Sequence, residues 1–117
     1  MTTAWGGRFR KGGPKFGNIP TRIDGHLFHS KKEAHRYLEL KAMQAGGLIR
    51  DLELQPAFDL AVNDVKVCRY IADFRYRDLS TDEVVVEDVK SPATRTREYV
   101  LKARLMLAVF GIEVLET

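Results

Sequence analysis

The segment Val84-Val85-Val86-Glu87-Asp88-Val89-Lys90 starts as an apolar strand and ends in charge. Side chains alternate along a strand, so Val86, Asp88 and Lys90 share one face, and Val85, Glu87 and Val89 the other. Burying a lone carboxylate is costly unless it is paired or bound to a metal. Asp88-x-Lys90 at the end of an apolar strand therefore needs a chemical reason. A carboxylate that holds a metal beside a cation suits phosphodiester hydrolysis: the metal activates water and the cation meets developing negative charge. Asp73 raises the same question, because it interrupts the apolar run Tyr70-Ile71-Ala72-Phe74. The structural alternatives are a salt bridge from Asp73 to Arg75 or Lys90, and a same-face Asp88–Lys90 ion pair on an exposed edge strand.

The elements that must position these residues can be read along the chain. Thr21 to Phe28 forms a small hairpin around Asp24-Gly25. Ser30 opens a helix that runs to about Ala45, and Ser30-Lys31-Lys32-Glu33 fits a capping box. Gly46-Gly47 stops it. Leu48 to Val62 is extended and broken by Pro56. Asn63-Asp64 turns the chain into a long strand from Val65 to Arg77. Asp78 to Glu83 turns back into the Val84–Lys90 strand, which Pro92 ends. A second helix runs from about Thr96 to Phe110, with Tyr99, Val100, Ala103, Met106, Leu107 and Phe110 on its apolar side. Gly111 stops it, and Ile112 to Leu115 closes as a strand. The order hairpin, helix, three-strand meander, helix, strand makes the chain α/β, with a mixed central sheet and helices on its faces.

The 117 residues suggest one domain, spanning 21–117, behind an arm at 1–20. A hydrophobic fraction of 44% and a charged fraction of 30% are those of a soluble globular protein. No apolar run is long enough to span a membrane, and the N-terminus has no signal-peptide core. The single Cys68 excludes an internal disulfide framework and fits a reducing cytoplasm. Residues 1–23 carry a charge of +5, which leaves −2 for the rest of a chain whose net charge is +3. Glycines and Trp5, Phe9 and Phe16 are interleaved with Arg8, Arg10, Lys11 and Lys15 in this segment. Such an arm suits a nucleic-acid backbone; its alternative is a solubilising terminus. His26-x-x-His29 and His35 have no cysteine partner nearby and do not make a zinc motif. No serine elbow, phosphate-cradling glycine loop or dinucleotide fingerprint is present. Arg95 and Arg97 flank the start of the second helix, where backbone N–H groups favour phosphate.

Taken together, helix-Glu33, strand-Asp73, strand-Asp88-x-Lys90, helix and strand resemble the PD-(D/E)XK nuclease superfamily, whose restriction-endonuclease-like core is αβββαβ. More closely, the chain is similar to a small, mostly phage-encoded family within it. The segments that carry this likeness are Asp24-Gly25, Phe28-x-Ser30-Lys31-Lys32-Glu33-Ala34, Arg36-Tyr37-x-Glu39-Leu40, Leu52-Glu53-Leu54-Gln55-Pro56, Tyr70-Ile71-Ala72-Asp73-Phe74, Glu87-Asp88-Val89-Lys90 and Thr94. Ala72 stands where the superfamily name has proline, and Ser91 where glycine would be expected. The resemblance implies that Asp73 and Asp88 bind Mg²⁺ or Mn²⁺, with Glu33 as a further ligand, directly or through water. It also implies that Lys90 assists the attacking water. Gln55 and Glu87 are candidate supporting groups, and Glu87 is alternatively solvent-facing.

The implied activity is a metal-dependent DNA endonuclease leaving a 5′-phosphate. The expected subtype is structure-selective and Holliday-junction-resolvase-like, acting as a homodimer on branched DNA in phage recombination, in a host cytoplasm. Two alternatives stay open: a non-catalytic DNA-binding module on the same fold, and a nuclease acting on RNA, single-stranded or linear nucleic acid.

Overall fold

A computed structural model describes residues 20–117. The expected basic arm, with Arg8, Arg10, Lys11 and Lys15, lies outside the described residues. The chain divides into two compact units, 1–37 and 38–117.

In the first unit, β1 (Thr21–Ile23) and β2 (His26–Phe28) pair antiparallel. Asp24 and Gly25 both have positive φ, 52° and 79°, the conformation that a two-residue turn of matching twist demands. The Tyr37 hydroxyl donates to Asp24 Oδ2 at 2.9 Å, and the Tyr37 ring packs 4.9 Å from that of Phe28. Helix α1 (Lys31–Ala45) begins in this unit and runs into the second. Half of the expected capping box is present, the Glu33 N–H donating to Ser30 Oγ at 3.1 Å; the Glu33 carboxylate instead reaches one residue further back, its Oε1 accepting from the His29 N–H at 3.0 Å. At the other end Gly47 takes φ 78°, and the Leu48 N–H reaches back to the Met43 carbonyl at 2.9 Å.

The second unit contains β3 (Ile49–Leu54), β4 (Ala57–Val62), β5 (Val65–Ile71), β6 (Phe74–Asp78), β7 (Glu83–Asp88), α2 (Arg97–Phe110) and β8 (Leu115–Glu116). A four-stranded mixed sheet runs in the order β3-β6-β7-β8, antiparallel except for the parallel pair β7-β8. Strands β4 and β5 form a separate antiparallel hairpin, turned by Asn63 and Asp64 at φ 50° and 66°. The long strand expected over Val65–Arg77 is therefore split, at Ala72-Asp73. The cause lies across the ladder. Pro56 has no N–H and Gln55 has φ 52°, so the partner strand bends and regular pairing fails on both sides. Two backbone bonds carry the chains through the bend: Gln55 N–H to the Asp73 carbonyl, 2.9 Å, and Ala72 N–H to the Pro56 carbonyl, 3.1 Å.

Phe58, Leu60, Tyr70, Ala72 and Val86 from the strands meet Tyr99 and Met106 of α2 in one buried cluster. Of the expected apolar side of α2, Tyr99, Val100, Ala103 and Met106 lie in or on this cluster, and the Phe110 ring is 6.0 Å from that of Phe58. Leu107 is about half exposed, while Leu105 and Val109 also pack on the cluster. The closing strand is also later than expected. Ile112 and Val114 pack against the core, and pairing begins only at Leu115. The ladder then continues past β7 through Thr117 N–H to the Asp88 carbonyl, 3.1 Å, and Lys90 N–H to the Thr117 carbonyl, 3.0 Å. No described helix is long and apolar enough to cross a membrane.

Candidate active site

The bend in the hairpin places Asp73 beside the end of β7. Its backbone N–H donates to the Glu87 carbonyl at 3.1 Å, and its carbonyl accepts from Gln55. The Asp73 side chain then crosses to the neighbouring strand end, where Oδ2 accepts from the Val89 N–H at 2.7 Å. Asp88, two residues after the core residue Val86, is only 4% exposed. Its Oδ2 accepts from the Tyr70 hydroxyl at 2.5 Å, and its Oδ1 lies 3.3 Å from Lys90 Nζ. The Asp73 carboxyl hydrogen-bonds to the Asp88 carboxyl.

Two acids and one ammonium in so small a space leave negative charge in excess. Burial, then the hydrogen bond to Asp73 and its charge, push Asp88 up to about 7, against the opposing pull of Tyr70 and Lys90. Burial, then the bond to Asp88, raises the Tyr70 phenol far above its usual range. Burial and the charge of Glu116 raise Tyr99 as well. Both phenols are therefore hydrogen-bond donors throughout the working pH range. Lys90 is held between Asp88 and the Tyr99 ring, with Nζ 4.2 Å from the ring centroid. Tyr99 in turn donates to Glu116 Oε2 at 3.2 Å.

A cavity of about 360 Å³ opens over this group. Asp73, Asp88 and Lys90 line it together with Arg69, Lys102 and Thr96. Thr96 caps α2, its side chain accepting from the Tyr99 N–H, so the start of α2 stands at the cavity wall.

The sequence-derived residues fall into three groups. Asp73, Asp88 and Lys90 come together. Gln55 supports them through its backbone, while its side chain is exposed. Arg95 and Arg97 are exposed at the start of α2, and Arg95 Nε lies 3.2 Å from both Glu116 carboxylate oxygens. Glu33 is in the other unit, its Oε1 engaged in the α1 cap. Glu87 is not solvent-facing. It is fully buried on the face opposite Asp88, in register with Phe74, and accepts from the Tyr76 hydroxyl. Its neighbours on that face are core residues, which is why it is covered.

Sequence reasoning missed Tyr70, Tyr99 and Arg69. For the tyrosines the sequence held only a general signal, that a buried phenol needs a partner for its hydroxyl; it did not say which partner. Among the described residues, no three His, Cys, Asp or Glu side chains gather as a metal-binding group. At the cavity, Asp73 and Asp88 are the adjoining carboxyl pair; Glu98 also lines it, with Oε2 3.4 Å from Lys102 Nζ.

The chain belongs to the family described as "Protein of unknown function (DUF1064)", which matches residues 14–111. No curated protein and no solved structure matches it.

Proposed function

With a family that carries no assigned activity as the premise, we propose that this chain is a metal-dependent endonuclease of the PD-(D/E)XK type, hydrolysing DNA phosphodiester bonds. The observation that carries the proposal is the meeting of Asp73 and Asp88 at a bent hairpin, with Lys90 3.3 Å from Asp88, under a cavity bordered by Arg69 and Lys102. The element order supports it: a helix, the antiparallel strands β3, β6 and β7 with the β4–β5 hairpin inserted after the first, a second helix, then a strand parallel to β7.

The residues fit a hard divalent cation. Two carboxylates in contact, one nearly fully buried, carry charge that Lys90 alone does not balance. Their oxygens suit Mg²⁺ or Mn²⁺, and a two-carboxylate set leaves coordination positions for water and phosphate. Bound there, the ion would activate water and meet charge on the phosphoryl group. Asp73 and Asp88 would hold it through their carboxylate oxygens. Tyr70 fixes the rotamer of Asp88, and the Val89 N–H that of Asp73. Lys90 presents its ammonium to the space where the phosphoryl oxygens gain charge, with little reorganisation on reaction. Arg69 and Lys102 line the same cavity and attract the flanking phosphates. We propose further, from the resemblance, that the substrate is branched DNA and that the chain acts as a homodimer; cations placed to meet a phosphate backbone rather than base edges support recognition by shape.

The deciding experiment offers labelled four-way junction, linear duplex and single-stranded DNA with Mg²⁺, Mn²⁺ or EDTA, beside Asp88→Asn. Paired nicks near the branch, absent in EDTA and in the variant, are expected. Cleavage of every substrate would keep the nuclease and remove the junction preference. Binding without cleavage in any metal would leave a DNA-binding module.

A further inference from the structure

We infer that Tyr99 is a positioning residue for Lys90, acting through the face of its ring. The inference rests on the nuclease reading of this site. Lys90 is largely withdrawn from water, its side chain 17% exposed. The contacts of its Nζ include two of different character: Asp88 Oδ1 at 3.3 Å and the Tyr99 ring at 4.2 Å from the centroid. A cation held by Asp73 and Asp88 would compete with Lys90 for the Asp88 carboxylate, but not for the ring. The ring contact would therefore survive metal loading and keep the ammonium aimed at the cavity when its carboxylate is drawn elsewhere.

The ring is itself well fixed. Tyr99 is 6% exposed, on the third residue of α2, where its N–H is bound by the Thr96 cap at 3.1 Å. Its hydroxyl is tied to Glu116, which also holds Arg95. Its ring lies 6.3 Å from that of Tyr70, the phenol bonded to Asp88. Neither tyrosine is exposed enough to stack on a base, so a direct substrate contact does not account for the arrangement.

The ring face and the hydroxyl predict different variants. Tyr99→Phe keeps the quadrupole and loses only the bond to Glu116, so it should cleave nearly as the parent does. Tyr99→Leu should lower kcat about tenfold or more with KM little changed, since the lost interaction acts on transition-state charge. Leucine could instead disturb the core. Progressively ring-fluorinated phenylalanine at this position keeps the shape while weakening the ring face, and kcat should fall stepwise with fluorination at constant melting temperature. A merely structural ring would give no such trend. A flat fluorination series, or a loss in Tyr99→Phe as deep as in Tyr99→Leu, would overturn the role. The NMR shift of the Lys90 ε-methylene gives a readout that needs no cleavage: upfield in the parent and in Tyr99→Phe, normal in Tyr99→Leu. An unshifted parent would overturn the contact itself. A shifted parent that cleaves nothing in any metal would overturn the nuclease reading, and the catalytic positioning with it, while leaving the contact in place.

Discussion

Asp88 is the residue where charge and burial conflict most directly. Its carboxyl is raised from 3.8 to about 7 by burial and by Asp73. Below about pH 3.8 the group is protonated in both folded and unfolded chains and contributes nothing to pH dependence. Between the two values the folded chain binds the proton and the unfolded chain does not, so stability falls as pH rises towards 7. Above 7 the penalty is complete. Melting curves from pH 4 to 8 should show this decline in metal-free protein, and Asp88→Asn should flatten it. Mg²⁺ or Mn²⁺ should stabilise the parent most above pH 7, and the variant hardly at all. Glu33 poses a different question, because its cap role is already visible. Glu33→Ala should cost about 1 kcal/mol, whereas Glu33→Gln keeps an acceptor and the stability. Cleavage by Glu33→Gln then separates cap from ligand: a fall at unchanged melting temperature adds Glu33 to the metal site. Asp73, Asp88 and Lys90 were all legible in the chain because each breaks an apolar pattern. Tyr70 and Tyr99 were not, because a tyrosine in an apolar stripe looks like ordinary core until its hydroxyl has a partner.

At the level of elements, the site depends on one bent hairpin. Pro56 and the left-handed Gln55 break β3 from β4, and the opposite chain breaks at Ala72-Asp73 in response. The carboxylate of Asp73 is thereby freed from regular alternation and reaches the Val89 N–H. The proline was evident in the chain; the answering break in its partner was not, since register sets it. The far end of the hairpin offers a clean test. Both turn residues, Asn63 and Asp64, have positive φ, and the second position of such a turn favours glycine. Asp64→Gly should therefore raise stability by up to about 0.5 kcal/mol in denaturant titrations, with cleavage unchanged. A loss of stability would show that Asp64 makes a contact worth more than the relieved strain. Helix α2 teaches the converse lesson. Its ends were readable from Thr96 and Gly111 and its buried side from Tyr99, Ala103 and Met106, while the packing of Leu105 and Val109 was decided by the surrounding core.

For the whole molecule, the proposed activity needs more than the cavity. The segment 1–23 holds +5 of charge against −2 in the remainder, so backbone attraction is concentrated at one end of the chain. Removal of residues 1–19 should weaken junction binding and make log K less steep against log salt, by about 0.9 per lost phosphate contact. Unchanged affinity would assign the arm to solubility. The split of the Val65–Arg77 segment was not legible in the sequence alone, whereas the chain's α/β class, its two helices, its turns and the ends of its helices, and the three residues now gathered at the cavity were. These are local matters: periodicity, a missing N–H, a positive φ, a charge in an apolar run. Tertiary structure decided the rest. It buried Glu87 against Tyr76, tied Arg95 to Glu116, set the Tyr70 hydroxyl on Asp88 and the Tyr99 ring against Lys90, and brought Arg69 to the cavity wall. Each of these depends on which strands pair and in what register, and a pairing between residues far apart in the chain leaves no periodic trace in either segment.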